Sequence, residues 1–419
     1  MTNESKLVFN FLDAPTGAGK TTAIINRINN TTPIGDLGNP QRFLVVTPYI
    51  TEVDRICSET ACIAPVGKKS ADIQQLLSNG KNICCTHSLF NLFNEETINI
   101  IHNSGYSYSL IVDEEISVVA DIVSCRRKIN PDNPTLLECY SRDDIRLLED
   151  QQHIIVEETT KQIRWNDNIK YEGIFVDLKE RLKTADLFKH GSGVIQLMKR
   201  SIWDCFSDIT ICGYRMQESY LSYYCKLYNI TINYQHINNN YEIVDDYLPA
   251  KPKNLHLLRL YEEHGNKHCT YSKSWYQTNI RKGVLSEPAK QLRRDFRNFR
   301  RYFAKAGGKE YYWTCYKGFY KALPDKYLAA SRWEPCNLKA TNRLTHCCVV
   351  GYFINLFANV NIKGFLKSKG IVVNEKELAL SNLIQYVWRS NIRTNDNKEV
   401  YVFISAGDLL NNFKDWLTK

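Results

Sequence analysis

The residues most able to do chemistry form a short glycine-rich run near the start of the chain. Ala14 to Thr22 reads APTGAGKTT, between a strand predicted at Leu7 to Leu12 and a helix predicted from Thr21. Glycines let backbone N–H groups turn onto a polyphosphate, and the helix N-terminus adds a partial positive charge. A turn without chemistry is the alternative, but the strand and helix on either side favour a phosphate-binding loop. The predicted nucleotide-binding residues are Thr16, Gly17, Ala18, Gly19, Lys20, Thr21 and Thr22.

Two residues of this loop have separate predicted roles. Lys20 would reach the outer phosphates, and the Thr21 hydroxyl would bind a magnesium ion. The loop therefore predicts binding of ATP or GTP, with ATP and Mg²⁺ as the expected pair.

An acidic sequence about ninety residues later supplies the complementary groups. The predicted strand Ser109 to Val112 is followed directly by Asp113, Glu114 and Glu115. Asp113 can hold Mg²⁺ through its water shell, and Glu114 is placed to polarise the water that attacks a γ-phosphate. A solvated acidic turn is the alternative. With the phosphate loop upstream, the pattern favours phosphoryl transfer.

The elements that must position these groups alternate along the chain as strands and helices, which predicts a parallel sheet covered by helices. Residues 125–200 interrupt this alternation of strands and helices. They are interpreted as either an inserted subdomain or a long helical excursion. A polar stretch, Gln235 to Pro252, predicts a domain boundary near residue 245. The predicted domains are 1–240 and 246–419, both α/β. The remaining strand candidates are Phe43 to Thr47, Asn82 to Thr86, Asp208 to Cys212, Glu310 to Thr314, Cys347 to Phe353 and Val400 to Ile404.

Composition narrows the class of protein. The 419 residues are 43% hydrophobic and 24% charged, with no apolar run long enough to span a membrane. The 14 cysteines show no C-x-x-C spacing, so reduced thiols and a cytoplasmic location are expected. His264, His268 and Cys269 lack a second half for a zinc site.

Charge is divided unevenly along the chain. Residues 1–250 contain 24 Lys and Arg against 32 Asp and Glu, whereas residues 251–419 contain 30 against 13. The second half is therefore strongly basic, and we expect it to meet a polyanion.

Taken together, these segments resemble helicase superfamily 2, whose first motif begins with alanine, as Ala14 does here. Val46-Thr47-Pro48-Tyr49 and Thr86-His87-Ser88-Leu89-Phe90 are similar to family motifs that touch the nucleic-acid backbone. Asp113 and Glu114 retain the leading pair of the family's acidic motif. The resemblance implies two RecA-like domains in tandem, with Pro48, Thr86 and His87 on the nucleic acid.

A segment near the C-terminus resembles the final motif of the same family. Gln385 precedes Arg389 and Arg393, which sit four residues apart, and Trp388 replaces a glycine. The resemblance implies that one of these arginines crosses a cleft to the γ-phosphate, and the distance from Gln385 favours Arg389. Two surface arginines on an amphipathic helix are the alternative. The predicted catalytic residues are Glu114, Gln385, Arg389 and Arg393.

Two further segments match family motifs by position. Thr210 to Tyr214 follows a predicted strand where the family couples hydrolysis to movement, and a plain strand exit is the alternative. Asn337 to Arg343 resembles the fifth motif of small helicases from bacteriophages and mobile elements. It implies nucleic-acid contacts by Lys339, Thr341 and Asn342, with a helix-capping turn as the alternative.

A basic and aromatic run completes the candidate residues. Between Arg281 and Lys305 there are nine basic residues against two acidic ones. Arginines could pair with phosphates while aromatic rings stack on bases, which predicts a single-strand contact. A solvated helix with buried phenylalanines is the alternative. The residues predicted to contact phosphates are Arg293, Arg297 and Arg300, and the rings predicted to stack are Phe296, Phe299 or Tyr302.

These patterns predict an ATP-dependent helicase or translocase acting in the replication or recombination of a phage or mobile element. DNA is favoured over RNA, although backbone-tracking motifs read phosphates more than sugars. Two alternatives remain open. One is a P-loop kinase acting on a small molecule, and the other is a nucleic-acid-binding regulator that uses ATP as a switch without unwinding.

Overall fold

Two α/β units make up the chain in this computed structural model, which describes residues 7–31, 40–124, 127–130, 133–245, 249–263, 269–306, 310–337 and 343–418. The first unit groups Met1–Asp13, Lys20–Leu248 and Ala358–Val373. The second groups Ala14–Gly19, Pro249–Phe357 and Asn374–Lys419.

The strands are numbered in chain order. They are β1 Val8–Asp13, β2 Gln41–Thr47, β3 Ile83–Thr86, β4 Ser107–Val112, β5 Val119–Asp121, β6 Val123–Ser124, β7 Lys128–Asn130, β8 Asn133–Ser141, β9 Ile154–Val156, β10 Gln162–Trp165, β11 Ala185–His190, β12 Gly193–Met198, β13 Asp208–Gly213, β14 Thr231–Ile237, β15 Ile243–Val244, β16 Leu258–Leu260, β17 Ile280–Arg281, β18 Val284–Leu285, β19 Tyr311–Thr314, β20 Val349–Tyr352 and β21 Val400–Ile404.

The α-helices are numbered in the same way. They are α1 Lys20–Asn30, α2 Ile50–Glu59, α3 Lys69–Ser78, α4 His87–Phe90, α5 Glu95–Asn103, α6 Arg142–Asp150, α7 Val176–Thr184, α8 Ser201–Asp204, α9 Tyr220–Leu227, α10 Lys273–Asn279, α11 Glu287–Asn298, α12 Val360–Ser368, α13 Glu375–Val387 and α14 Gly407–Thr418. Short 3₁₀ turns occur at Met216–Glu218, Leu255–Leu257, Ala330–Arg332 and Asn391–Arg393, and a π-helical turn at Phe299–Phe303.

The main sheet of the first unit has the order β15-β14-β1-β13-β4-β2-β3. All of its pairings are parallel except the one between β14 and β15. The predicted parallel sheet is therefore confirmed, and each strand predicted in this half is present within two residues of its expected bounds. Since parallel strands share a carboxyl edge, the residues after β1, β2, β3 and β4 lie along one edge.

Helix α1 packs against this sheet because its apolar residues recur at helical spacing. Ala23, Ile24, Ile25 and Ile28 are buried on one face. Ile24 and Ile28 share a core cluster with sheet residues such as Leu12, Val45 and Ile111. The packing fixes the start of α1 directly beyond the end of β1.

Residues 119–198 form a second layer of the first unit that is built mainly from antiparallel strands. Its five-stranded sheet has the order β5-β12-β11-β10-β9, and a separate core forms around Tyr140, Leu148, Ile163, Leu178 and Leu187. The described residues of 125–200 are mainly strands with the helices α6 and α7, and we refer to residues 119–198 as the inserted subdomain.

The second unit is built on a four-stranded sheet of order β16-β21-β20-β19, with every pairing parallel. The three strands predicted here are present as β19, β20 and β21. An aromatic cluster fills the core beside the sheet, and its rings include Phe296, Phe299, Phe353 and Phe403.

The remaining expectations about composition can be compared with the described residues. All cysteines in the described ranges are free thiols. No described helix has the length and hydropathy needed to cross a membrane. His264 and His268 of the weak zinc pattern lie outside the described residues.

Candidate functional site

The phosphate-binding loop has the backbone that its glycines predict. Gly17 and Gly19 have φ angles of +85° and +88°, in the left-handed region that side chains disfavour. The Ala18 N–H donates to the Pro15 carbonyl at 3.1 Å, which closes the turn. Helix α1 then begins at Lys20 with no acidic side chain in its first turn. A helix N-terminus of this kind is suited to binding an anion.

The acidic end of β4 lies next to the start of α1 in the first unit. The Thr21 hydroxyl donates to a carboxylate oxygen of Asp113 at 3.4 Å. Asp113 is only 4% exposed, and its backbone N–H donates to the Val46 carbonyl at 2.8 Å. The two residues predicted to share a magnesium ion are therefore brought together.

The charge state of Asp113 reflects this buried position. The pKa of Asp113 is raised to about 6, first by burial and then by the negative charge of Glu114, while the ammonium group of Lys20 opposes both. A hydroxyl and a buried carboxylate are hard oxygen donors, which Mg²⁺ prefers. The residues present therefore fit a nucleotide-bound magnesium ion.

The two glutamates that follow Asp113 have different surroundings. Glu114 has a φ of +66°, a left-handed conformation that costs energy for a residue with a side chain. Glu115 instead accepts a hydrogen bond from the Leu221 N–H at 2.9 Å, in the first turn of α9. Glu115 is thus used to hold a helix terminus, and Glu114 is the carboxylate in a strained position beside Asp113.

The residues predicted to touch nucleic acid in the first unit lie on the same edge of the sheet. Thr47 at the end of β2 is in register with Thr86 at the end of β3. The His87 ring lies 3.2 Å, through Nε2, from the Asp113 carbonyl oxygen. The Thr86 hydroxyl accepts from the Leu89 N–H and caps α4. Pro48 follows Thr47 and is half-buried. The structure thus brings Thr86 and His87 to the acidic strand end.

A further carboxylate at this edge was missed by the sequence analysis. Asp13, directly before the phosphate loop, is 3% exposed. It accepts from the Arg215 N–H at 2.7 Å and from the Gln217 side-chain amide at 2.9 Å. The loop after β13 is thereby fixed to the end of β1. The signal was an acidic residue ending a mostly apolar strand.

The motif predicted at Thr210 to Tyr214 has a structural role at its first residue. The Thr210 hydroxyl accepts from the Arg27 guanidinium at 2.7 Å, and the same guanidinium pairs with Asp208 at 2.8 Å. Thr210 is completely buried within β13. Its hydroxyl therefore attaches α1 to the sheet, and the loop that follows is positioned by Asp13.

The C-terminal arginines occupy two different environments in the second unit. Arg389 is 3% exposed. Burial raises the pKa of the Tyr312 phenol strongly, and the positive charge of the nearby Arg389 lowers it. Arg393 is half-buried in the Asn391–Arg393 turn. A Cβ built on Gly17 would lie 3.8 Å from Arg393 Cβ, within the unit that includes Ala14–Gly19. Gln385 donates to the Ser381 hydroxyl at 3.2 Å, one turn earlier in α13.

The arginines of the basic helix contact their own chain. Arg293 pairs with Asp325 at 3.8 Å. Arg300 donates to the Tyr327 carbonyl at 2.7 Å, and its guanidinium carbon lies 3.6 Å from the centroid of the Tyr311 ring. Burial lowers the pKa of Arg300. Arg297 lies over the Tyr327 ring at 5.1 Å. These side chains hold the loop around residues 324–327 against the end of α11.

The aromatic part of the same prediction is wrong for two of its three residues. Phe296 and Phe299 are 1% and 0% exposed and belong to the core of the second unit, so they cannot stack on bases. Tyr302 is 64% exposed and remains able to do so. Lys339, Thr341 and Asn342 of the predicted fifth motif lie outside the described residues.

Comparisons with known proteins give a coarser picture. Residues 253–417 match a family model described as the YonV C-terminal Rossmann-like domain. A relative from Bacillus subtilis (strain 168), described as an SPbeta prophage-derived uncharacterized protein YonV, is 28% identical over 435 residues, covering 97% of this chain and 98% of the relative. A structure of S. tokodaii Xpd4 aligns over 98% of this chain and 94% of its own, with a TM-score of 0.43 and 10% identity, too low to support a conclusion. The chain is therefore similar to a prophage-derived protein, and its second half to a Rossmann-like domain.

Proposed function

We propose that this chain is an ATP-hydrolysing translocase or helicase that acts on nucleic acid for a phage or mobile element, in the host cytoplasm. The observation that carries the proposal is the 3.4 Å contact between Thr21 and Asp113, beside a loop whose two glycines adopt left-handed conformations. This arrangement supports binding of a nucleoside triphosphate with Mg²⁺. The strongly basic second half and the prophage origin of the relative support the nucleic-acid part.

Separate residues divide the work of hydrolysis. The loop N–H groups and Lys20 bind the phosphates, while Thr21 and Asp113 hold the metal position. Mg²⁺, when bound there, neutralises charge on the phosphate oxygens. Glu114 orients the attacking water and accepts its proton. Proton acceptance needs an ionised carboxylate within hydrogen-bond reach of the water.

We assign the arginine finger to Arg393 rather than to Arg389. Arg393 lies beside Gly17 of the phosphate loop, whereas Arg389 is buried near Tyr312. An arginine near the γ-phosphate stabilises the charge that spreads over the transferring group. This assignment reverses the order of preference that the spacing from Gln385 favoured.

Nucleic acid would then be held by the first-unit edge near Pro48, Thr86 and His87 and by the basic second half. DNA is the proposed partner because the relative is prophage-derived. Binding through phosphates predicts a strong dependence on salt concentration.

The first experiment measures ATP hydrolysis by the full chain alone and with single-stranded DNA, duplex DNA or RNA. Hydrolysis should rise about tenfold or more with single-stranded DNA, and Lys20→Ala should remove it because the phosphates lose their cation. Lys69→Ala is the matched control, since Lys69 is an exposed lysine at the start of α3. Absence of hydrolysis with every polymer would contradict the proposal.

The same measurements separate the alternative functions. A small-molecule kinase would ignore the polymer and transfer phosphate to an added acceptor. A switched regulator would hydrolyse ATP with DNA but would neither displace a strand from a tailed duplex nor move along DNA. Strand displacement by the wild-type chain, and its loss in Lys20→Ala, would favour the helicase.

A further inference from the structure

The inserted subdomain contains a basic cavity that the proposed ATPase site does not use. Its volume is about 270 Å³. One face of α6 forms one side, and the end of β11 with the turn into β12 forms the other. The residues that matter for its chemistry are Arg142, Arg146, Glu149, Lys189 and Ser192.

The two arginines of this cavity are placed where the helix alone would disfavour them. Arg142 and Arg146 are exposed and four residues apart on α6, so their like charges face each other. Arg142 also lies in the first turn, where the helix dipole opposes a positive charge. Neither guanidinium forms an ion pair or side-chain hydrogen bond with any residue that the structure describes. A bound anion would therefore offset the repulsion between the two arginines.

The carboxylate in the lining does not neutralise these arginines. Glu149 pairs with Lys189 at 2.5 Å. The cavity thus has three cations against one carboxylate, and that carboxylate is already paired.

The facing turn is held in a fixed conformation close to the arginines. Gly191 has a φ of +55°. A Cβ built on Gly193 would lie 2.5 Å from Asn361 Nδ2 and 2.9 Å from Asp121 Oδ1, so only glycine fits. Asn361 on α12 donates to Asp121 at 2.7 Å, and both side chains lie against Gly193. Ser192 in this turn lines the cavity.

We propose that this cavity binds backbone phosphates of a nucleic-acid strand, an inference that rests on the proposed function. Guanidinium groups bind phosphate oxygens through paired N–H groups, and a serine hydroxyl can add a third donor. The volume is just below the range of about 300–1,000 Å³ typical of sites for whole small molecules. Since none of the described lining residues is aromatic, the cavity offers no ring on which a free nucleotide could stack its base.

The test compares the double variant Arg142→Gln/Arg146→Gln with the control Lys170→Gln/Lys183→Gln in the full chain. The control removes the same charge from exposed lysines of the same subdomain. Anisotropy of a labelled single-stranded oligonucleotide is measured across a salt series. We expect about tenfold weaker binding near ~100 mM salt. If each arginine contacts one phosphate, the slope of log affinity against log salt should shrink by about 1.4.

Each outcome has a defined meaning. If the double variant binds the strand as the control does, with the same salt slope, the inference is wrong while the proposed function stands. If the double variant raises the KM for ATP and leaves strand affinity unchanged, the two arginines support the ATPase site rather than a strand, and the inference is wrong. If the wild-type chain does not bind strands at all, the proposed function itself fails.

Discussion

The phosphate loop and the basic helix α11 were both identified from sequence as ligand-binding segments. Their side chains and backbone have different surroundings in the structure. In the loop, Gly17 and Gly19 adopt the left-handed conformations that the motif requires, and Thr21 meets Asp113. In α11, the arginines hold a loop of their own chain, and Phe296 lies in the core. Thr21 and Asp113 lie at the edge of a sheet, where a ligand can bind. The phenylalanines of α11 are instead buried, and its arginines contact their own chain.

The difference shows what each kind of pattern encodes. A glycine-rich loop specifies backbone conformation at defined positions, and the strand before it fixes where the loop must lie. A run of arginines and phenylalanines specifies only an amphipathic helix. Long cationic side chains can cover apolar surface or pair with nearby carbonyls as readily as with a ligand. The spacing of residues therefore predicted the contacts of the phosphate loop. The composition of α11 did not predict the contacts of its arginines and phenylalanines.

The largest expected effect comes from Arg393, the proposed arginine finger, with Arg389 as the comparison. Arg393→Ala should lower strand-stimulated ATP hydrolysis by about 10³-fold or more while the chain stays folded, because the finger's charge is lost. Arg389→Ala should instead lower the melting temperature, since Arg389 is buried. Steady-state kinetics and thermal melts on both variants make the comparison. A larger kinetic loss in Arg389→Ala, with an unchanged melting temperature, would restore Arg389 as the finger.

Substitutions of Glu114 and Glu115 give the next largest effect. They test whether the two neighbouring glutamates have different roles. Glu114→Gln should reduce hydrolysis by about 10²–10⁴-fold without weakening nucleotide binding, because the amide cannot accept the water's proton. Glu115→Gln should mainly affect stability, since Glu115 accepts from the Leu221 N–H. Single-turnover hydrolysis and binding of a fluorescent nucleotide measure the two effects. Equal rate losses in the two variants would show that the motif does not separate them.

The sequence predicted the frame of the first unit well because its strands are apolar runs ended by polar residues. It could not predict that Asp13 fixes the loop after β13, since this contact joins residues about 200 positions apart. It also left open whether residues 125–200 are helical, because their short strands resemble charged helical stretches. For the second half, the match to a Rossmann-like domain and the parallel sheet agree with the predicted α/β class.

A third prediction separates core packing from base stacking in the basic region. Phe296→Ala should lower the free energy of unfolding by about 3–5 kcal/mol, because it removes a ring from the centre of the second unit's core. Tyr302→Ala should change stability by less than about 0.5 kcal/mol. It should weaken binding of single-stranded DNA, because exposed rings can stack on bases. Urea unfolding and oligonucleotide anisotropy measure both variants. A stable Phe296→Ala chain with lost DNA binding would return Phe296 to the nucleic-acid surface.

The smallest expected effect is a pH dependence confined to the first region, because the guanidinium groups of α11 stay protonated at any ordinary pH. Burial raises the pKa of Asp113 from 3.8 in the unfolded chain to about 6 in the folded one. Between these values the folded state keeps a proton that the unfolded state has lost. This group's contribution to the free energy of unfolding therefore falls as the pH rises from about 4 to 6.

The variant Asp113→Asn removes this titration while keeping the side chain's size. Relative to wild type, it should gain stability steadily between pH 4 and 6, by up to about 3 kcal/mol, and hold that gain above pH 6. Urea unfolding of both proteins without nucleotide or metal, at several pH values, measures the difference, and groups common to both cancel. Parallel stability curves would mean that Asp113 ionises at no cost in the folded chain. The claim that a buried carboxylate with a raised pKa distinguishes the sheet edge near the phosphate loop from α11 would then be wrong.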